Sequence, residues 1–124
     1  MTRMLMKMCV LSIGLLLAAC ADSKAAPSVE SGPMNGFSTA TEVGLWMRVS
    51  EPADVRIRYW NLRAPATVLS DVASPGGHDG RTVSAILTDL PHGQRFGYEI
   101  DLRSGSKWLP QSLGATLQFQ TQSI

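Results

Sequence analysis

From Glu42 onward the chain places apolar side chains at every second position over short runs. Val43, Leu45, Met47 and Val49 alternate along "EVGLWMRV", and Val55, Ile57 and Tyr59 alternate with Arg56, Arg58 and Trp60 along "VRIRYW". Val83, Ala85 and Leu87 repeat the pattern before "TDLPHG", and Phe96, Tyr98, Ile100 and Leu102 continue it afterwards. Leu113, Ala115, Leu117 and Phe119 close the series against Gly114, Thr116, Gln118 and Gln120. Successive side chains of a strand point to opposite faces, so a period of two buries one face and leaves the other in water. Weaker runs at 34–38 and 66–71 bring the predicted strands to about seven. Gly, Pro and Asp separate the runs, and no helical period follows residue 19. The pattern predicts an all-β fold, an antiparallel seven-stranded sandwich of immunoglobulin or fibronectin type III kind. One strand is bulky on both faces, because Trp46 points away from Leu45 and Met47. Either the indole lies along the sheet surface or a neighbouring domain covers it, which makes Trp46 the candidate domain-contact residue.

The beginning of the chain follows another pattern. Arg3 and Lys7 precede the apolar run "MCVLSIGLLLAA", so residues 1–19 read as a signal peptide. The run is short for a bilayer span. "LAAC", Leu17 to Cys20, resembles the lipobox of bacterial lipoproteins, and the resemblance implies that Cys20 becomes the lipidated first residue of the mature chain. The alternative is a plain secretory signal with a cysteine near its cleavage point by chance. With Cys9 in the leader and Cys20 acylated, no thiol is left for a disulfide framework or a thiolate metal site. Two or three acyl chains, at about 0.8 kcal/mol per buried methylene, would make the membrane a lasting partner. The expected location is the cell envelope, facing periplasm or exterior. Ala21, rather than an acidic residue, follows Cys20, which by the resemblance to enteric lipoproteins and their sorting rule implies the outer membrane if the bacterium has one. Residues 20–32, "CADSKAAPSVESG", have the composition of a flexible tether. Residues 33–122 then form one small domain with a single core.

Charge narrows the function. Of eleven Lys and Arg, Arg3 and Lys7 leave with the leader, so nine face ten Asp and Glu in the mature chain. This balance speaks against a nucleic-acid footprint. Arg56, Arg58 and Arg63 read as the solvated face of a strand, as do Glu99 and Asp101 at i and i+2. "SPGGHDGRT" holds a His78–Asp79 pair, but a metal centre needs several converging ligands and His92 is the only other histidine. The loop is expected to be exposed, and no metal ligand is assigned. No G-x-S-x-G elbow or free thiol is present, so no catalytic residue is assigned either. Trp46, Trp60 and Trp108 would make a carbohydrate platform only if the fold brought them together, which their spacing does not imply. Trp108 is the one expected to be most exposed.

"DLPHGQRFGYEI" resembles the Leu-x-Pro-Gly…Tyr corner of fibronectin type III domains. Leu90 fits the first position and Phe96 occupies the tyrosine position, so the apolar contact is kept and the hydroxyl is lost; His92 falls in the turn. The longer stretch "SGPMNGFSTATEVGLWMRVSEPADVRIRYW" resembles the start of the N-terminal domain of PhoD-like alkaline phosphatases. Gly32, Pro33, Met34 and Gly36 match that family's opening phrase, Leu45, Trp46 and Met47 its first core strand, and Ala53, Val55, Ile57 and Tyr59 the next. The resemblance implies a non-catalytic accessory sandwich that precedes a metallophosphatase domain. The family's iron and calcium belong to that second domain, so none of its ligand or nucleophile positions maps onto this chain. The expectation is an accessory module of a phosphatase or phosphodiesterase, on a partial chain lacking the catalytic domain. Such a module is no enzyme by itself and has no cofactor of its own. The alternative is a stand-alone, membrane-anchored surface lipoprotein with an immunoglobulin-like binding module.

Overall fold

The computed structural model describes residues 26–114 and 116–124. Residues 1–25, on which the expected signal peptide, Cys20 and the first part of the expected tether fall, and Ala115 lie outside the described residues. Eight strands follow one another: β1 (Val29–Ser38), β2 (Val43–Val49), β3 (Val55–Asn61), β4 (Leu69–Ala73), β5 (Thr82–Leu87), β6 (Arg95–Ser104), β7 (Lys107–Pro110) and β8 (Leu117–Gln120). They form two antiparallel sheets, β1-β2-β5 and β4-β3-β6 with both β7 and β8 on the free edge of β6. The alternating residues of β2, β3, β5 and β6 point into one core. Val43, Leu45, Met47 and Val49 from one sheet meet Val55, Ile57, Ile100 and Leu102 from the other. Full burial of each such side chain contributes about 1.5–3 kcal/mol, which is what holds two thin sheets together. At one end of the core Phe96 stacks on Phe119 at 5.1 Å, with Tyr59 and Tyr98 against the same pair.

Two strands differ from the periodicity. β1 starts at Val29, inside the stretch 20–32 whose composition suits a tether. The cause is pairing that no single segment encodes: Val29 sits opposite Val49, and Ser28 exchanges hydrogen bonds with Ser50, its N–H donating to Ser50 Oγ at 2.9 Å. β1 is also bulged, with register shifts on both sides of Met34. Gly32 takes φ +85°, and a Cβ there would stand 2.8 Å from the Trp46 carbonyl oxygen, so only glycine fits. The last predicted strand, Leu113 to Gln120, is shortened to Leu117–Gln120, and a strand that the periodicity does not predict precedes it. Lys107–Pro110 pairs with the end of β6 as a hairpin arm, whereas Leu113 lies in a loop and pairing resumes at Leu117.

Candidate functional site

The outer face of the five-stranded sheet carries the densest polar structure. Trp60, Arg58 and Arg56 project outward from β3, opposite Gly97, Glu99 and Asp101 of β6. Asp101 is a correction to the sequence reading, because its side chain has no solvent exposure although it lies on the outward face. Both arginines fold over it. Arg56 Nε and Arg58 Nε each donate to Asp101 Oδ2 at 2.8 Å, and Arg58 Nη2 donates to Oδ1 at 2.9 Å and to Glu99 Oε2 at 2.9 Å. Trp108, from β7, caps the group, with the Arg56 guanidinium 4.8 Å from its ring centre and Arg103 at 5.9 Å. Trp108 is thus half-buried under two cations rather than a free loop aromatic. Burial pushes the Asp101 carboxyl up, but the hydrogen bonds and charges of Arg58 and Arg56 outweigh it and hold the carboxyl below the usual range. Hydrogen bonding to Asp101 raises Arg58 in turn. Arg63 does not join the cluster; it is exposed after β3, its N–H donating to Asn61 Oδ1 at 2.9 Å.

Further along the same face a cleft of about 630 Å³ opens between Trp60, Glu99 and residues 111–114, 116 and 117. Gly97 is buried because the Trp60 indole lies over it: a Cβ at 97 would come within 2.8 Å of the ring. Tyr98 closes the floor, and burial pushes its phenol up.

The outer face of the three-stranded sheet is divided: Arg48, paired with Glu30 and Asp79, holds one end, and apolar side chains hold the other. Trp46 is half-buried between Met34 of β1 and Ser84 of β5. Phe37 and Ile86 flank Gly44, whose missing Cβ lets the Phe37 ring lie across the sheet. Met34, Phe37 and Ile86 are 51%, 44% and 52% exposed, so Trp46 is one member of a contiguous patch. Sequence reasoning found Trp46 and missed the other three, because only the β1 register places Met34 and Phe37 beside it. The three tryptophans are divided between the two sheets, so they form no common platform.

His78 is exposed in a loop closed by a Gly76–Thr82 bridge, and Gly77 and Gly80 supply its positive φ angles. Asp79 works as a hub for cations: it accepts from Arg48 Nη2, and from the Arg81 N–H at 3.1 Å and Nε at 3.3 Å. Its hydrogen bond from Arg48 lowers its pKa. Among the described residues no group of three or more His, Cys, Asp or Glu converges on a point. His92 is exposed in the turn before β6. Leu90 and Phe96 are both buried, as the corner pattern implies. The missing tyrosine hydroxyl has a substitute that sequence reasoning did not find. Thr121, buried after β8, donates through Oγ1 to the Pro91 carbonyl at 2.7 Å and accepts from the Gln94 N–H at 2.9 Å.

No family model matches the chain, and no curated protein does. Solved structures do. The short form of the sensor domain of the anti-sigma factor RsgI4 from Pseudobacteroides cellulosolvens aligns with TM-score 0.52 and 16% identity, over 83% of this chain and 99% of that one. The FN1-FN3 domains of chicken CNTN1 align with TM-score 0.57 and 17% identity, over 81% of this chain and 31% of that larger one. The fibronectin type III domain of human fibronectin type III domain containing protein 3 aligns with TM-score 0.56 and 10% identity, over 83% and 94%. At these identities the likeness concerns backbone architecture, and residues 29–120 therefore form a fibronectin type III-like β-sandwich.

Proposed function

We propose that the chain is a non-catalytic accessory sandwich that supports a metallophosphatase domain of the PhoD-like type, docking through the outer face of β1-β2-β5. The observation that carries this is the apolar patch of Met34, Phe37, Trp46 and Ile86, a surface whose exposure to water is costly until a partner covers it. The class of partner rests on the residue pattern from Gly32 to Tyr59. The bulge that requires Gly32 gives that pattern a physical reason, since it aligns Met34 with Trp46. A lipid on Cys20 would hold the assembly at the envelope membrane.

The reading frame beyond the codon for Ile124 tests the identity of the partner. Metallophosphatase sequence there, in frame or displaced by a frameshift, supports it; unrelated sequence in every frame overturns it. The face itself is tested by Ile86→Asp and Phe37→Ser, measured by binding to the metallophosphatase domain from the same locus. Loss of binding with an unchanged melting temperature is the expected result, and undiminished binding refutes the docking face.

A further inference from the structure

We propose that the cleft beside the break between β7 and β8 is a binding site for a neutral saccharide, with Trp60 as stacking platform and Glu99 and Gln111 as the groups that read hydroxyls. It lies on the sheet opposite the docking face and does not depend on that reading.

The site begins with a mismatch in chain length. β7 leaves β6 at Pro110, opposite Asp101, and β8 rejoins it at Leu117, opposite Tyr98. Only Glu99 and Ile100 separate those two positions on β6, whereas 111–116 separate them on the edge. An even ladder has room for about two residues there, so the described surplus residues, Gln111 to Gly114 and Thr116, leave the sheet and line a wall beside it. The wall is anchored at its root, where the Gln111 N–H donates to the Ile100 carbonyl at 2.9 Å and Gln111 Nε2 to the Leu109 carbonyl at 3.1 Å. Those bonds leave Gln111 Oε1 to accept from a ligand.

The opposite wall is built as carefully. Trp60 cannot stand away from the sheet without exposing Gly97, so one ring face is spent on the glycine and the indole borders the cleft. A half-buried, immobilised ring is a better stacking surface than a free one, because less rotamer entropy is lost on binding. Arg58 fixes one oxygen of Glu99 and leaves the carboxylate further accepting capacity, while the side chain stays 58% exposed. Ser112 and Thr116 line the same space. A volume of about 630 Å³ lies within the range of roughly 300–1,000 Å³ typical of small-molecule sites.

The chemistry of the lining selects the ligand class. Glu99 is the one charged residue among the described lining residues, so a phosphate or other anion has no cation to meet. Arg58 already neutralises Glu99, which removes the attraction for a cation. What remains is an apolar surface, Trp60 with Pro110, Leu113 and Leu117, flanked by the acceptors of Glu99 and Gln111, the complement of a pyranose with an apolar face and a ring of hydroxyl groups.

The test is a ¹H–¹⁵N correlation spectrum of the domain with cellobiose, maltotriose and diacetylchitobiose added singly at millimolar concentration. The expected result is that at least one sugar shifts the Trp60 indole N–H and the Gln111 and Ser112 amides, leaving Trp46 and Trp108 in place. Trp60→Ala should abolish the shifts. Glu99→Gln, which alters an exposed pair and so leaves the fold intact, should weaken binding about tenfold, the size of one charge-assisted hydrogen bond. Spectra unmoved at these positions by all three sugars overturn the proposal, as does a Glu99→Gln variant that binds like the parent.

Discussion

Replacing Asp101 by Asn isolates the charge at the centre of the outer face while preserving shape. In the folded protein the carboxylate has no solvent exposure and receives donors from both arginines at 2.8–2.9 Å. The amide keeps one acceptor oxygen but turns an NH₂ toward two guanidinium groups, so a buried donor faces only donors and cations. Breaking one side of a buried ion pair costs about 3–5 kcal/mol. The lower end applies here, because Arg56 and Arg58 are 31% and 30% exposed and recover part of the loss from water. We therefore expect a loss of about 3 kcal/mol, and with roughly 4–8 °C per kcal/mol for a domain of this size, a melting temperature lower by about 12–24 °C. Urea denaturation followed by tryptophan fluorescence measures this, and an unchanged m-value would show that the folded state keeps its compactness.

The pH dependence supplies a second measure. The Asp101 carboxyl has a lower pKa folded than unfolded, so its contribution is complete above the unfolded value of about 3.9 and is lost as the pH falls through the lower folded value. Asp101→Asn should therefore lose stability less steeply than the parent below about pH 4. Asp79, also depressed, titrates in both proteins and leaves a residual slope. A loss below about 1 kcal/mol, or identical acid limbs, would show that the arginines re-solvate freely and that the buried carboxylate is no anchor.

Thr121→Val keeps the volume of a buried side chain and deletes the hydroxyl that bridges Pro91 and Gln94, so it should cost about 1–3 kcal/mol in urea denaturation; a cost near zero would mean water replaces it. Gly32→Ala forces a Cβ against the Trp46 carbonyl at positive φ, and should destabilise by about 1–3 kcal/mol with the largest amide shifts in β1 and β2; an unperturbed spectrum would refute the bulge argument. Cys20→Ser should abolish incorporation of labelled palmitate in bacterial cells and release the protein from the membrane fraction; continued labelling would remove Cys20 as the acylated residue.

Strand positions and inward residues were legible because they depend on a local period. Val43 to Val49, Val55 to Tyr59 and Phe96 to Leu102 alternate in sequence and are buried in the fold. The corner at Leu90 and Phe96 was legible for the same reason, since its spacing is fixed within one turn. The limits of β1, the presence of β7 and the late start of β8 were not, because all three depend on what lies opposite. Asp101 shows the limit most plainly. Its alternation with Ile100 and Leu102 marks an outward residue, which it is, yet outward is buried where Arg56, Arg58 and Trp108 from two other strands converge.

The candidate surfaces divide in the same way. Trp46 stood out because one strand carried bulk on both faces, but its companions Met34, Phe37 and Ile86 come from other strands and meet it only through register. Trp60 looked like one of three unrelated tryptophans until Gly97 appeared beneath it and the chain from Gln111 to Gly114 beside it. The sequence alone determined that this is a small antiparallel sandwich, since alternation and turn residues act over a few positions. Only the tertiary structure decided which outward residues are buried, paired or grouped, because neighbours across a sheet are set by pairing between segments distant in the chain.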